Sequence, residues 1–470
     1  MGLIEQAIAL ANRNDWYMRT GPRTTLFSPL NVFRGGDAAR EEEAWFLKEM
    51  YAGRQEQFID RYPDETVEEF ARRWKATLNL TRTIIDVLSG LYRDAPRRIF
   101  RSDFPHVEER MARVWRESAI DATMHTVDRM TRLTGTVALR PSYDRETGRL
   151  TFWLFTPDKI RVIENPDAPR HPRAAVLRWT ARDPEHPQRL VHMAHIWTRD
   201  EFTKVVNGRE VKSERRKHGM GVIPLVFFCD RVDFDNFFTC GRGRDIALAN
   251  CAINNKLTHK LETIIYQGLG IPVIKNPTPG RELVFSPKRA VAIDVPPGTE
   301  AGLEFVSPDA PIGDLLADIE ADIEHLLLAN RIPQSAVRVK AAAASGVAIV
   351  AENIPITEDR KERMRLFAPA ERELVDVTLR VLNEFEEDFH FDPDTQRFDY
   401  RVDYPEPRFP LSVHEQIAKD EFMLGKGLTT PWRIWMRDDP DRFATEDEAK
   451  EEWLKVSQEY KAPYDVSGAD

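Results

Sequence analysis

Cysteine is scarce: only Cys229, Cys240 and Cys251 occur in 470 residues. They are odd in number and widely spaced, with no CxxC pair and only His259 close by. That excludes a disulfide framework and argues against a zinc site, so they read as cytosolic thiols. Long apolar runs are missing too. The eleven small or aliphatic residues from Ala341 to Ala351 fall well short of the roughly 20 needed to span a bilayer. The start, "MGLIEQAIALANRNDW", lacks the charged head and apolar run of a signal peptide. It opens Met-Gly, but Gln6 stands where myristoylation wants Ser or Thr. These features predict a chain made in a cytoplasm that stays soluble.

A cationic surplus is absent as well. Asp and Glu exceed Lys and Arg by 77 to 67, a net charge of −10. Proteins that wrap nucleic acid present a cationic footprint, which this balance does not supply. It is compatible with letting nucleic acid pass without holding it. Catalytic signatures are lacking: there is no GxSxG, HExxH, Walker motif or GxGxxG ahead of a helix. "CGRGRDIA" is too little for a dinucleotide site, although its glycines suit a turn before a helix. Lys426 in "LGKGLTTP" sits in a mock P-loop without the upstream glycine or the following Ser/Thr. No carboxylate pair stands out from helix surfaces rich in acids. No cofactor or metal is implied.

What is present is an α+β pattern, mainly helical, long enough for about three domains. From Ala38 to about Arg140 the reading is helical. "ETVEEFARRWKATLNLTRTIIDVLSGLY" sets Val67, Phe70, Trp74, Leu78, Ile84, Ile85, Leu88 and Leu91 at mostly three- and four-residue intervals. "VEERMARVWRESAIDATMHTVDRMTRLTG" continues in that style and stops near Gly135, a C-cap. From Leu150 to Phe228 the period becomes two. "LTFWLF", "KIRVI", "AAVLRWT", "RLVHMAHIW", "FTKVV" and "IPLVFF" read as strands, with a hairpin turn at Asn207-Gly208. His192 and His195 invite a metal reading, but a spacing of three on a strand puts them on opposite faces, favouring structural roles.

A helix of some 24 residues, "GRDIALANCAINNKLTHKLETIIYQG", then spans about 36 Å. Its apolar stripe comprises Ile246, Ala249, Ile253, Leu257, Leu261, Ile264 and Ile265. A β-rich insert follows, cut by Pro279-Gly280 and Pro297-Gly298. "GDLLADIEADIEHLLLANR" returns as a helix with Asp314, Asp318 and Asp322 at four-residue steps. Like charges so placed repel modestly. They form either a solvated face or the lining of a passage for a polyanion. "ITEDRKERMRLFAPAERELVDVTLRVLNEFEEDF" predicts a long helix, started or kinked at Pro355 and interrupted near Pro369. "RFDYRVDY" predicts a strand. The tail predicts short helices capped at Thr430 or Pro431 and at Thr445, where Glu448 completes a capping box.

This order of elements resembles the portal proteins of tailed double-stranded-DNA phages. "FLKEMYAGRQEQF", with Tyr51 and Gly53, is similar to the family's early helix and Tyr-x-Gly turn. "TIIDVLSGLYRDAPRRI" and "TPDKIRVIENPDAP" resemble the next helix and the wing's strand-and-turn unit. "GVIPLVFFCDRVDFDNFFTCGRGRDIALANCAINNKL" looks like the approach to the stem. "DYPEPRFPLSVHEQIAKDEFMLGKGLTTPWRIW" is similar to the return strand and C-terminal helices. The likeness covers roughly Glu42 to Trp453. It departs at the clip-like insert, recognisable by position and not by motif.

The resemblance implies a portal fold of wing, stem, clip and crown. The wing would take 1–240, a first stem helix 241–268, the clip 269–312 and a second stem helix 313–332. A tunnel-loop region would follow at 333–352, the long kinked helix and return strand at 353–410, and crown-like helices at 411–470. It implies a ring, twelve-fold in the family, at one capsid vertex, carrying DNA in and out of the head in the virion. Partners would be double-stranded DNA, terminase large subunit, head-tail adaptor, and major capsid and scaffolding proteins. ATP hydrolysis would belong to the terminase. Channel-lining candidates are Arg338, Lys340, Ala343, Ser345, Gly346 and Val347, with Asp314, Asp318 and Asp322 as an acidic stem stripe. Clip-surface candidates are Lys275, Arg281, Lys288 and Arg289. Small side chains suit a loop whose copies crowd round an axis. They suit close helix packing equally well. The alternatives are a soluble enzyme with an unisolated acidic site, or another helical vertex or scaffold component.

Overall fold

The computed structural model describes residues 2–12, 36–168, 170–183, 186–233, 236–269, 271–275, 302–306, 311–333, 346–406, 413–439, 442–443 and 445–461. They form two compact units, 1–337 with 355–405, and 338–354 with 406–470.

In the first unit, helix α1 (Leu3–Ala11) packs Ile4 and Ala7 against a six-stranded sheet. That sheet comprises β4 (Ile160–Ile163), β5 (Ala174–Arg182), β6 (Leu190–Thr198), β7 (Glu201–Val206), β8 (Arg209–Glu210) and β9 (Arg216–Lys217). Alternation of period two built β5 to β7 as expected, and Asn207 (φ 46°) and Gly208 (φ 80°) turn β7 into β8. Its flanking sheet orders β10 (Val226–Cys229), β2 (Thr136–Asp144) and β3 (Arg149–Phe155), all antiparallel.

Helices α5 (Pro105–Glu117) and α6 (Ile120–Thr134) cover the second sheet. Ala119, at φ 49°, separates them, so the expected continuous run is two helices. Gly135 (φ 93°) ends α6, as its position suggested. The span with a helical pattern over 65–92 also divides. Helix α3 (Val67–Arg72) begins with a capping box, in which Thr66 Oγ1 accepts from Glu69 N at 3.2 Å and Glu69 Oε2 accepts from Thr66 N at 2.8 Å. The chain then runs extended to Asn79 before α4 (Leu80–Leu88), leaving Trp74 75% exposed.

Helix α9 (Gly346–Phe385) departs from one expectation, an interruption near Pro369. It begins ahead of Pro355, which therefore lies inside the helix and does not start it, and 346–352 is helical. It also continues through Pro369 without interruption. A proline in a helix interior costs about 3 kcal/mol. Phe367, Leu374, Val375, Leu379 and Leu382 are buried in the main core around it, and burial at about 1.5–3 kcal/mol per large side chain outweighs that penalty. Strand β13 (Phe398–Asp403) forms where alternation predicted, paired with the unforeseen β1 (Arg97–Ser102).

A second core joins α2 (Asp37–Ala52) and α4 to the bases of α7 (Gly243–Leu269) and α8 (Ile312–Ala329). Phe46, Met50, Ile84, Ile85, Ile246, Ile253, Ile319 and Leu327 meet there. In the second unit, α10 (Val413–Gly425), α11 (Pro431–Asp438) and α12 (Glu446–Lys461) follow. Arg437 pairs with Asp420 at 2.6 Å, and Trp432 packs on Trp453 with ring centroids 5.8 Å apart.

Candidate functional site: the α7–α8 pair and its anchorage

Helix α7 leads into β11 (Ile271–Lys275), and β12 (Gly302–Val306) leads toward α8. The two strands pair antiparallel from Ile271↔Val306 to Lys275↔Gly302. Two helices thus run out and back with a strand pair at their far end. The start of α7 is set by close packing. A Cβ on Gly243 would stand 2.1 Å from the carbonyl oxygen of Leu133, and one on Gly241 2.5 Å from Gly135 N. The glycines of "CGRGRD" therefore let the root of α7 press against the end of α6.

One face of α7 then takes hold of the extended stretch before α4. Asn250 Oδ1 accepts from Thr81 N (3.0 Å), Thr81 Oγ1 (2.9 Å) and Gln55 Nε2 (3.2 Å), while its Nδ2 donates to Leu78 O (2.8 Å). One turn on, Asn254 Oδ1 accepts from Leu78 N (2.9 Å) and Nδ2 donates to Gln55 Oε1 (2.8 Å). A turn further, Thr258 Oγ1 accepts from Ala76 N (3.2 Å). Steps of four keep these side chains on one face. They occupy backbone groups that a helix over 73–79 would need internally, which explains why that stretch is extended. Asn255 exchanges two hydrogen bonds with Asp60, at 3.0 and 2.7 Å. Tyr62 OH donates to Glu262 (2.5 Å) and lies 2.9 Å from His259 Nδ1. Burial and the Glu262 contact push the Tyr62 hydroxyl up to about 12. From Asn250 to Glu262 the polar seam is about 18 Å long at the helical rise.

Behind it lies a buried charge cluster. Arg132 pairs with Asp230 at 2.9 Å and with Asp359, Arg363 pairs with Asp230 and Asp128, and Arg242 pairs with Asp359 at 2.6 Å. Three guanidinium groups and three carboxylates tie α6, the approach to α7 and α9 together. Removing one member of such a buried set costs about 3–5 kcal/mol.

Of the acidic stripe, Asp314 is exposed on α8. Asp318 and Asp322 both accept from Lys256 Nζ of α7, at 2.6 and 2.7 Å. Those carboxylates, Asp318 foremost, hold the Lys256 ammonium above its ordinary range. The stripe is therefore partly neutralised from within the chain. Gly346 and Val347 open α9, and Lys275 closes β11. Arg338, Lys340, Ala343, Ser345, Arg281, Lys288 and Arg289 lie outside the described residues. Sequence reasoning missed the Asn250–Asn254–Thr258 ladder. Its signal was two amides and a hydroxyl at four-residue steps beside the apolar stripe.

His192 and His195 do not converge. His195 is wedged edge-on between Trp179 and Phe202, at centroid distances of 4.6 and 5.0 Å, whereas His192 lies 3.5 Å from Thr180 Oγ1. Among the described residues no group of three His, Cys, Asp or Glu is arranged to hold a metal. No helix among them is long and apolar enough to cross a membrane.

The family described as "Phage portal protein, SPP1 Gp6-like" matches residues 37–404. The chain belongs to that family. It is a portal protein, a structural component of a phage-like capsid vertex and not of an enzyme family. The match ends near Phe398–Asp403 and so takes in both α7 and α8. No curated protein matches the chain. Among solved structures, a chain of the virion of a native gene transfer agent particle aligns over 82% of this chain and 89% of its own. The identity is 11% and the TM-score 0.41.

Proposed function

We propose that copies of this portal chain close into a ring whose axial channel carries double-stranded DNA during packaging and ejection. The same ring offers a platform first to a terminase and then to a head-tail adaptor. The observation that carries the reading is the portal-family match across residues 37–404. The stem supports it. Leu248, Ile264, Leu315, Leu316 and Leu328 stay exposed along α7 and α8, Leu328 at 75%. Apolar surface of that kind on a two-helix projection is what neighbouring stems cover when a ring closes.

In this reading 241–268 and 313–332 are the stem, 269–312 is the clip and 333–352 is the loop region at the channel's narrowest point. The clip cations Lys275, Arg281, Lys288 and Arg289 face docking partners. Small residues from Ala341 to Gly346 offer phosphate little to hold, while Arg338 and Lys340 make brief, salt-sensitive contacts. The stem carboxylates discourage retention of the polyanion, with Lys256 tempering Asp318 and Asp322.

The test is DNA packaging by particles carrying Ser345→Asp. The mutant should assemble rings at the parental level and package poorly, since the loop faces the axis. Normal packaging would remove the loop from the channel. Replacing Asp318 and Asp322 by lysine should increase DNA retention by the purified ring, and unchanged retention would turn the stripe away from the DNA.

A further inference from the structure

A cleft of about 160 Å³ opens in the first unit, away from the stem. Arg140 of β2, Arg145 of the β2–β3 turn and Arg216 of β9 line it, with Tyr143, Trp197 and Phe385 as aromatic wall. No carboxylate lines it. The guanidinium of Arg140 lies 4.7 Å above the Trp197 ring. Arg216 sits 5.4 Å from Phe202 and 5.5 Å from Phe385, and Arg145 5.5 Å from Phe385. Rings hold these cations in place but satisfy none of their N–H donors.

Arg140 Nε is buried with no hydrogen-bond partner. Burial, together with the charge of Arg216, pulls the Arg140 guanidinium down to about 10. Nearby acids are engaged elsewhere: Glu384 accepts from Gly219 N at 3.0 Å, Glu386 holds Arg110 at 2.9 Å and Glu201 holds Arg215 at 3.1 Å. Three like charges around one hollow repel one another, and a half-desolvated guanidinium without an acceptor is costly. The missing element is an anion.

The size of the hollow selects among anions. A cavity of this order admits one benzene-sized group, room enough for a single carboxylate-bearing side chain and too little for a whole nucleotide. Planar guanidinium groups present a fork that matches the paired oxygens of a carboxylate or a phosphate. The chain carries ten more acids than bases, so its own copies have carboxylates to offer. We infer that the Arg140–Arg145–Arg216 cleft receives an Asp or Glu side chain from a neighbouring copy of this chain. The inference rests on ring assembly and is independent of DNA passage.

Arg216 is exposed on a short edge strand, so its substitution should spare the fold. In R216K an amine replaces the guanidinium, and a zero-length carbodiimide joins an amine only to a carboxylate in contact with it. Assembled R216K rings should yield an inter-chain amide at position 216, identified by peptide mass spectrometry. R216E and R145E, checked for parental melting, should each weaken assembly at low salt by at least about tenfold, the loss expected of a broken desolvated charge pair. Rings with no inter-chain link at 216 would overturn the cleft alone, as would an intrachain link to Glu384. So would an R216E ring that assembles normally and loses DNA retention, because the ligand would then be a phosphate. A parent chain that stays monomeric would overturn the cleft and the ring together.

Discussion

Asn250→Ala is the sharpest test of how α7 is rooted. Asn250 is fully buried and makes four hydrogen bonds, two of them to backbone groups that follow each other across the α4 start. Alanine leaves the Thr81 N–H without its partner and removes one of two donors to the Leu78 carbonyl, which keeps Leu80 N at 3.0 Å. A buried polar group left unmade costs about 1–3 kcal/mol. Thr81 is fully buried and bears that cost in full, whereas the Leu78 carbonyl still accepts from Leu80 N. The loss is about 1–3 kcal/mol of local stability, or roughly 5- to 150-fold faster opening. Native-state amide exchange, read by mass spectrometry on peptides covering 73–88, reports that opening directly. Asn255→Ala is the control, since Asn255 bonds Asp60 and not this stretch. Parental exchange at 73–81 in the Asn250 variant, or the same acceleration in both variants, would refute the seam as the local anchor.

Three further outcomes follow from the same structure. Burial foremost, then Arg140, Lys204 and Arg216, depresses the His195 imidazole to about 3. The folded state thus holds it neutral between about 3 and its ordinary 6.5, while the unfolded chain protonates; stability is full above 6.5 and is lost as pH falls, by at most about 1.4 kcal/mol per unit. His195→Gln should flatten the melting curve over pH 4.5–6.5 relative to parent, and an unchanged slope would contradict that environment. Gly243→Ala forces backbone apart at Leu133 and should cost at least about 1–3 kcal/mol, read by thermal unfolding; a melting point within a degree of parent would refute the close packing. Lys256→Ala removes a pair exposed on both sides, 41% on the lysine and 58% on Asp318. It should cost under about 1 kcal/mol, vanishing in high salt; a larger, salt-independent loss would mean a buried bridge.

Much of the fold was legible because local pattern and burial agree. The strands from β3 to β7, the Asn207-Gly208 turn, the Gly135 cap and the helix–strand–helix order all follow from periodicity and turn chemistry. What was not legible depends on distant partners. The stretch 73–79 carries a helical pattern, yet side chains some 170 residues later claim its backbone. Pro369 reads as a break, and only the core around Phe367 shows why the helix runs through it. β1 carries three arginines in six residues and becomes a strand because β13, about 300 residues away, pairs with it. In the candidate site, the Asp318–Asp322 spacing was plain. Their shared lysine was not, since a lysine on another helix carries no signal of where it points.

The most direct test of the central claim is the solution mass of the purified chain, with end-on images of the same fraction. A channel-forming ring predicts a particle about an order of magnitude heavier than the 54.2 kDa chain, with a central opening wide enough for duplex DNA. Monomers that refuse to assemble at high concentration, or a ring closed along its axis, would contradict it.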